Sequence, residues 1–212
     1  METVVYLIRH SETTSKSNIK NISMNDDFQS TIEKSFLSVS GEKKAYEMSK
    51  IPELQNLDAV YSSNYVKALE TAKYIAQENN TIINVDDRLN ERRIGDAKEI
   101  DSKEFHRLQA KNFDYKLPNG ESLNETKKRM IEAMKNILMF ETENRVAVIS
   151  HSIALTCLLS AWCETGKNYD DEIILSYNDE TIVDGHWSAP SVFKVTFDGM
   201  TVTDIKYIDL NN

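Results

Sequence analysis

The sequence predicts a three-layer α/β/α sandwich around a mostly parallel sheet, with an antiparallel edge strand or hairpin near the C-terminus. Three observations point there. Short apolar runs at residues 4–8, 58–62, 81–85 and 146–149 read as strands, the first and last with the unbroken character of strands covered on both faces. Helical patterns alternate with these runs. Near the end, "SVFKVTF" and "TVTDIKYI" flank Asp198-Gly199-Met200, a short glycine-containing turn that suits a hairpin.

Taken in order, the first strand, 4–8, stops abruptly at Arg9 and His10, and the polar stretch 12–34 that follows lies outside the strand-helix alternation. Ser40 is read as the cap of a helix over "GEKKAYEMSKI". After the strand at 58–62, Val66, Leu69, Ala72 and Ile75 recur at helical spacing and predict a helix leading to the strand at 81–85. A second polar stretch carries a helical piece at 105–111 and a turn at Pro118-Asn119-Gly120, and is read as a lid inserted around residues 95–120. Ser122 and Glu125 form a capping pattern, after which Leu123, Thr126, Met130, Ala133 and Ile137 keep one helix face apolar to about residue 140. Following the strand at 146–149 and His151, "IALTCLLSAWC" is apolar all round, as a buried helix would be, with Gly166 placed to end it.

Composition bounds the function. A chain of 212 residues with 40% hydrophobic content buries a sizeable core as a single domain spanning 1–212. Its 25 basic and 34 acidic residues give a net charge of -9, which repels nucleic acid and anionic membranes and leaves small anionic substrates, provided that a few cations converge. Cys157 and Cys163 lack metal-ligand spacing and read as core thiols in a reducing compartment. Met1 is followed by an acidic residue and then the first strand, without the basic and apolar segments of a signal peptide, and no apolar run reaches the ~18 residues of a membrane span. A cytoplasmic location is expected; oligomeric state carries no signal.

Two strand candidates run directly into a histidine: "VVYLI" into Arg9-His10 and "VAVI" into Ser150-His151. In a parallel sheet the carboxyl ends share one edge, where α/β sheets bind ligands, so the two rings should meet there. A helix start after His151 would add donors and positive potential for an anion, with phosphate the natural guest.

At these residues the chain resembles the histidine phosphatase superfamily, which includes phosphoglycerate mutases and many small phosphatases. "LIRHSETT" is similar to the family's arginine-histidine-glycine signature. "VYSSNYVKALETA", "RLNERRIGD" and "VAVISHSIAL" match three further segments in order, with weaker echoes in "LSVSGEKKA" around Gly41 and "NGESL" around Glu121. The resemblance implies that His10 is the nucleophile, forming a phosphohistidine, and that Glu91 protonates the leaving alkoxide. Arg9 would offer a two-donor fork to phosphate, with His151 and neighbouring amides adding donors. Lys67 stands where the family places a phosphate-binding arginine, and Ser11 and Ser152 stand where it places glycines, so these three are assigned to substrate binding as departures from the pattern. Arg92 and Arg93 flank Glu91 and would oppose its protonation if they turned inward. His106 and His186 receive no catalytic role.

The reading is a metal-independent phosphatase of small phosphomonoesters, using no cofactor and no metal. "LNER" favours a phosphoglycerate mutase-type phosphotransferase as the nearest alternative, although 95–120 is short for the fuller cover of those mutases. Ser11, Lys67 and Ser152 together motivate a second alternative, a catalytically weakened phospho-ligand binding protein. A metal site built from His10, Glu91 and His151 is a third arrangement the residue types permit.

Overall fold

The computed structural model describes residues 2–14, 28–96 and 102–210. Its centre is a six-stranded sheet in the order β3-β2-β4-β1-β8-β9, formed by β1 (Glu2–Arg9), β2 (Ala59–Ser62), β3 (Ile83–Val85), β4 (Arg145–Ser150), β8 (Ser191–Asp198) and β9 (Thr201–Ile208). The first four are parallel, whereas β8 runs antiparallel to β1 and β9 to β8. The expected three-layer architecture and its C-terminal antiparallel edge are therefore present, with the hairpin turning through Gly199 at φ 58.

Strand periodicity divides the core into two layers. Val5 and Leu7 of β1, Val146 and Val148 of β4, and Phe193, Val195 and Phe197 of β8 point into one cluster, against α5 (Leu123–Phe140) and α6 (Ser152–Leu159). Tyr6, Ile8, Ala147, Ile149 and Val60 point to the opposite side, against α2 (Val39–Ser49) and α3 (Val66–Glu78). Successive strand side chains alternate between faces, so a run apolar at every position is a strand with a helix layer on each side. The capping box at the start of α5 forms as expected, with Ser122 and Glu125 each bonding the other's backbone.

Three local expectations differ. The cap of α2 is Ser38, whose hydroxyl accepts from the Gly41 amide, not Ser40. A bridge between Thr13 and Leu37 keeps the chain extended at 37, so the helix begins as soon as that bridge is passed. The buried helix α6 ends at Leu159, where the Ser160 hydroxyl donates to the Cys157 carbonyl and Lys127 donates to that of Ser160. Gly166 lies instead in a strand, β5 (Glu164–Lys167), of a second sheet with β6 (Ile173–Tyr177) and β7 (Glu180–Val183) that the sequence analysis did not anticipate. Leu175 and Val183 attach that sheet to the α5 and α6 side of the core.

The polar stretch after Ser11 contains α1 (Phe28–Lys34), which packs on α3. The segment at 95–120 contains α4 (Ser102–Lys111), and its ends meet, with the Asp96 amide donating to the Pro118 carbonyl at 3.0 Å. Gly95 has φ +85, and a Cβ there would lie 2.4 Å from the Pro118 oxygen, so only glycine permits this approach.

Candidate active site

The two histidines are delivered by neighbouring strands. Arg9 pairs with Ser150 in the β1-β4 register, and the His10 amide donates to the Ser150 carbonyl at 3.0 Å, so the residues that follow both strands emerge side by side. The His10 and His151 rings lie edge to face, with centroids 5.1 Å apart, and are 8% and 1% exposed.

His10 Nδ1 lies 2.7 Å from the Ser11 carbonyl oxygen, an acceptor, so Nδ1 carries the hydrogen and Nε2 presents a lone pair. Burial pushes the ring's pKa down to about 3, aided by Lys67 and Arg9 and opposed by the Ser11 bond. Ser11 is fully buried; its amide donates to Thr71 Oγ1 at 3.0 Å and its hydroxyl to the Gly41 carbonyl at 2.8 Å. Its contribution to the site is thus its backbone, since the hydroxyl proton expected to meet substrate is committed to Gly41.

Arg9 Nη1 donates to the carbonyls of Trp187 and Ser188, the latter at 3.2 Å, which anchors the guanidinium across the end of β8. Its Nε is buried with no hydrogen-bond partner among the described residues. Lys67, in the first turn of α3, is buried, at 8% exposed. Nζ donates to the Ile32 carbonyl and Ser35 hydroxyl, both at 3.2 Å, and lies 5.8 Å from the Tyr65 ring centroid. Its positive charge acts on both histidines.

Glu91 follows a short 3-10 turn, Asp87–Leu89, and reaches the start of α6. Oε1 accepts from the Arg92 and Ala154 amides at 2.8 and 2.9 Å, and Oε2 from the Ile153 amide at 3.2 Å. This corrects one expectation: the α6 amides anticipated as donors to a bound anion are engaged by the Glu91 carboxylate. Ser152, the first residue of α6, is half-buried beside His151. Arg92 does turn inward, donating to Gln109 with its guanidinium carbon 4.7 Å from the Phe105 ring centroid, and its Nε is a second buried donor without a partner among the described residues. Arg93 stays exposed.

Within this arrangement the matching family model, the histidine phosphatase superfamily (branch 1), covers residues 5–192. The chain belongs to the histidine phosphatase superfamily. Among its relatives, a probable phosphoglycerate mutase, GpmB, of Salmonella arizonae is 31% identical over 174 residues, 76% of this chain and 77% of the relative. The Escherichia fergusonii protein of the same name is 32% identical over the same shares. A Bacillus stearothermophilus structure, YhfR, superposes with a TM-score of 0.64 at 27% identity, covering 94% of each chain. Mycobacterial glucosyl-3-phosphoglycerate phosphatase shares the fold, with a TM-score of 0.69 at 14% identity over 98% of this chain and 97% of its own.

Several residues near the site carried no role in the sequence reading. Ser63 bonds His151 Nε2 at 2.8 Å, and Asn90 receives the Ser63 hydroxyl at 2.8 Å. Tyr65 packs its ring 4.9 Å from that of His151. Arg129 of α5 donates to the Arg88 and Asn90 carbonyls at 2.7 and 2.8 Å and grips both oxygens of Glu121, holding the loop ahead of Glu91. Ser63 and Asn90 lie inside quoted motifs, so a signal existed; Arg129 is an unremarkable helical arginine in sequence. Among the described residues, no group of three or more His, Cys, Asp or Glu could hold a metal ion, and no helix is long and apolar enough to cross a membrane.

Proposed function

We propose that the protein hydrolyses small phosphomonoesters without a metal, through a phosphohistidine on His10. The observation that carries this reading is the His10 geometry: a buried ring whose Nδ1 hydrogen is held by Ser11, whose Nε2 lone pair is unprotonated, and whose neighbours are His151, Lys67 and Arg9, with an Nε that has no partner among the described residues. Phosphate oxygens repel a nucleophile, so cations must neutralise them first; Arg9 and Lys67 supply that charge. Nε2 attacks phosphorus while the ester oxygen leaves with a proton from Glu91. Inward Arg92 and the amides favour the charged carboxylate, so Glu91 gains its transferable proton as the substrate binds, on Oε2, which accepts one amide against the two at Oε1. Water then attacks the phosphohistidine, the P–N bond breaks, Glu91 takes the water's proton, and phosphate departs.

Segment 95–120 acts in this reading as a lid, with α4 as its cover and the meeting of Gly95 with Gly120 as its base. The relatives named as phosphoglycerate mutases support a second reading, in which the phosphoryl group returns to another hydroxyl of the substrate. Incubating the protein with a panel of phosphorylated metabolites in chelator distinguishes the two. Hydrolysis predicts released phosphate, the mutase reading predicts positional isomers without release, and neither product from any substrate would refute both.

A further inference from the structure

Three groups converge on the Ser63 hydroxyl oxygen: the Tyr65 amide at 3.1 Å, Asn90 Oδ1 at 2.8 Å and His151 Nε2 at 2.8 Å. The direction of each bond follows by elimination. An amide N–H only donates. Asn90 Oδ1 also receives the Asn64 amide at 3.1 Å, which fixes that atom as the carbonyl oxygen, so the Ser63 proton goes to Asn90. Only lone pairs of Ser63 remain for His151, and Nε2 must carry the ring's hydrogen.

The other nitrogen, Nδ1, is buried with no hydrogen-bond partner among the described residues. The groups facing the ring are His10 and Arg9 from the end of β1, Lys67 and the Tyr65 ring from the start of α3, and Arg129 from α5. Burial, and then the positive charges of Lys67, Arg129 and Arg9, hold His151 well below the ordinary imidazole range, so its ring is neutral. Its Nδ1 is then a lone pair, which repels the oxygens of a phosphate dianion.

Resting on the phosphatase reading, we propose that Asn90 and Ser63 are positioning residues that lock His151 as a proton acceptor. Phosphate accordingly binds with one proton more than the dianion, shared between a phosphate oxygen and His151 Nδ1. The balance is simple: dianion, neutral ring and one solvent proton give a complex in which Nδ1–H meets oxygen. Above the second phosphate pKa of about 6 for an ester, affinity should fall about tenfold per pH unit.

Nitrogen-15 NMR of the ligand-free protein reads the tautomer without any ligand. His151 should carry its hydrogen on Nε2, and an Nδ1–H tautomer would overturn the proposal. Calorimetry with inorganic phosphate near pH ~8.5, in buffers of differing ionisation enthalpy, should register uptake of about one proton per phosphate, accompanied by a protonated Nδ1 in the spectrum. Zero uptake contradicts it. Asn90→Ala frees the Ser63 hydroxyl to donate to Nε2, so the tautomer should switch and uptake should fall towards zero; a folded variant with both unchanged would count against the relay. If that variant does not fold, the wild-type readings decide. A wild-type protein that binds no phosphate would overturn the phosphatase reading and proton uptake with it, and the free-protein tautomer separates that failure from failure of the relay.

Discussion

At His10 the proposed chemistry depends on one side-chain hydrogen bond, from Nδ1 to the Ser11 carbonyl, because that bond decides which nitrogen is free to attack. His10→Ala should lower turnover by about 10⁴-fold or more and abolish phosphoenzyme, measured by phosphate release and alkaline-quench labelling. Glu91→Gln should slow alkyl phosphates by about 10²–10⁴-fold while sparing aryl phosphates, whose leaving groups need no proton; equal losses on both would argue against proton donation. Lys67 is the instructive departure from the family pattern. It is clasped by Ile32, Ser35 and Tyr65, so its charge reaches the site from a fixed point and without a planar fork. Its position in the motif was legible in sequence, but its burial was not, because the Ile32 carbonyl that helps to clasp it comes from the polar stretch 12–34, where no helix was anticipated.

Elements succeed or fail by how their ends are held. Removing the Ser122 hydroxyl with Ser122→Ala should destabilise α5 by about 1 kcal/mol in denaturant unfolding, with activity nearly unchanged. Gly41 is a stricter case: a Cβ there would lie 2.0 Å from the Glu12 carbonyl oxygen, so α2 approaches the loop after His10 closely. Gly41→Ala should cost about 1–3 kcal/mol and also lower activity, because Ser11, which orients His10, donates its hydroxyl to the Gly41 carbonyl. Strands covered on both faces were readable because an unbroken apolar run has few alternatives. The cap at Ser38 was not, since Ser38 and Ser40 are equivalent in local pattern and only the pairing of Thr13 with Leu37 separates them. The β5-β6-β7 sheet was missed for a related reason: β5 is exposed at all four residues, although Asn178-Asp179, both at positive φ, marked the β6-β7 turn.

For the whole molecule, the site exists only when residues far apart in sequence meet at the carboxyl ends of β1, β2 and β4, so its integrity tracks global folding. Burial of neutral His10 ties the two together. The folded ring titrates at about 3 and the unfolded one at its ordinary 6.5, so the unfolded chain binds the extra proton between these values. Stability is therefore full above about pH 6.5 and falls on acidification towards 3, by on the order of 1 kcal/mol per pH unit from this group, with His151 acting in the same direction. Unfolding free energies from pH 7 to about 4 should show at least that slope, and His10→Asn should remove the His10 share while leaving that of His151.

The central claim is that phosphoryl transfer passes through His10. Rapid alkaline quench of the protein mixed with a phosphorus-32-labelled phosphomonoester, in chelator, followed by peptide mapping at alkaline pH, tests it directly. The account predicts an acid-labile label on the peptide containing His10, formed and lost at rates that match turnover and absent from His10→Ala. Turnover that proceeds with no label, or with label on a different residue, would contradict it.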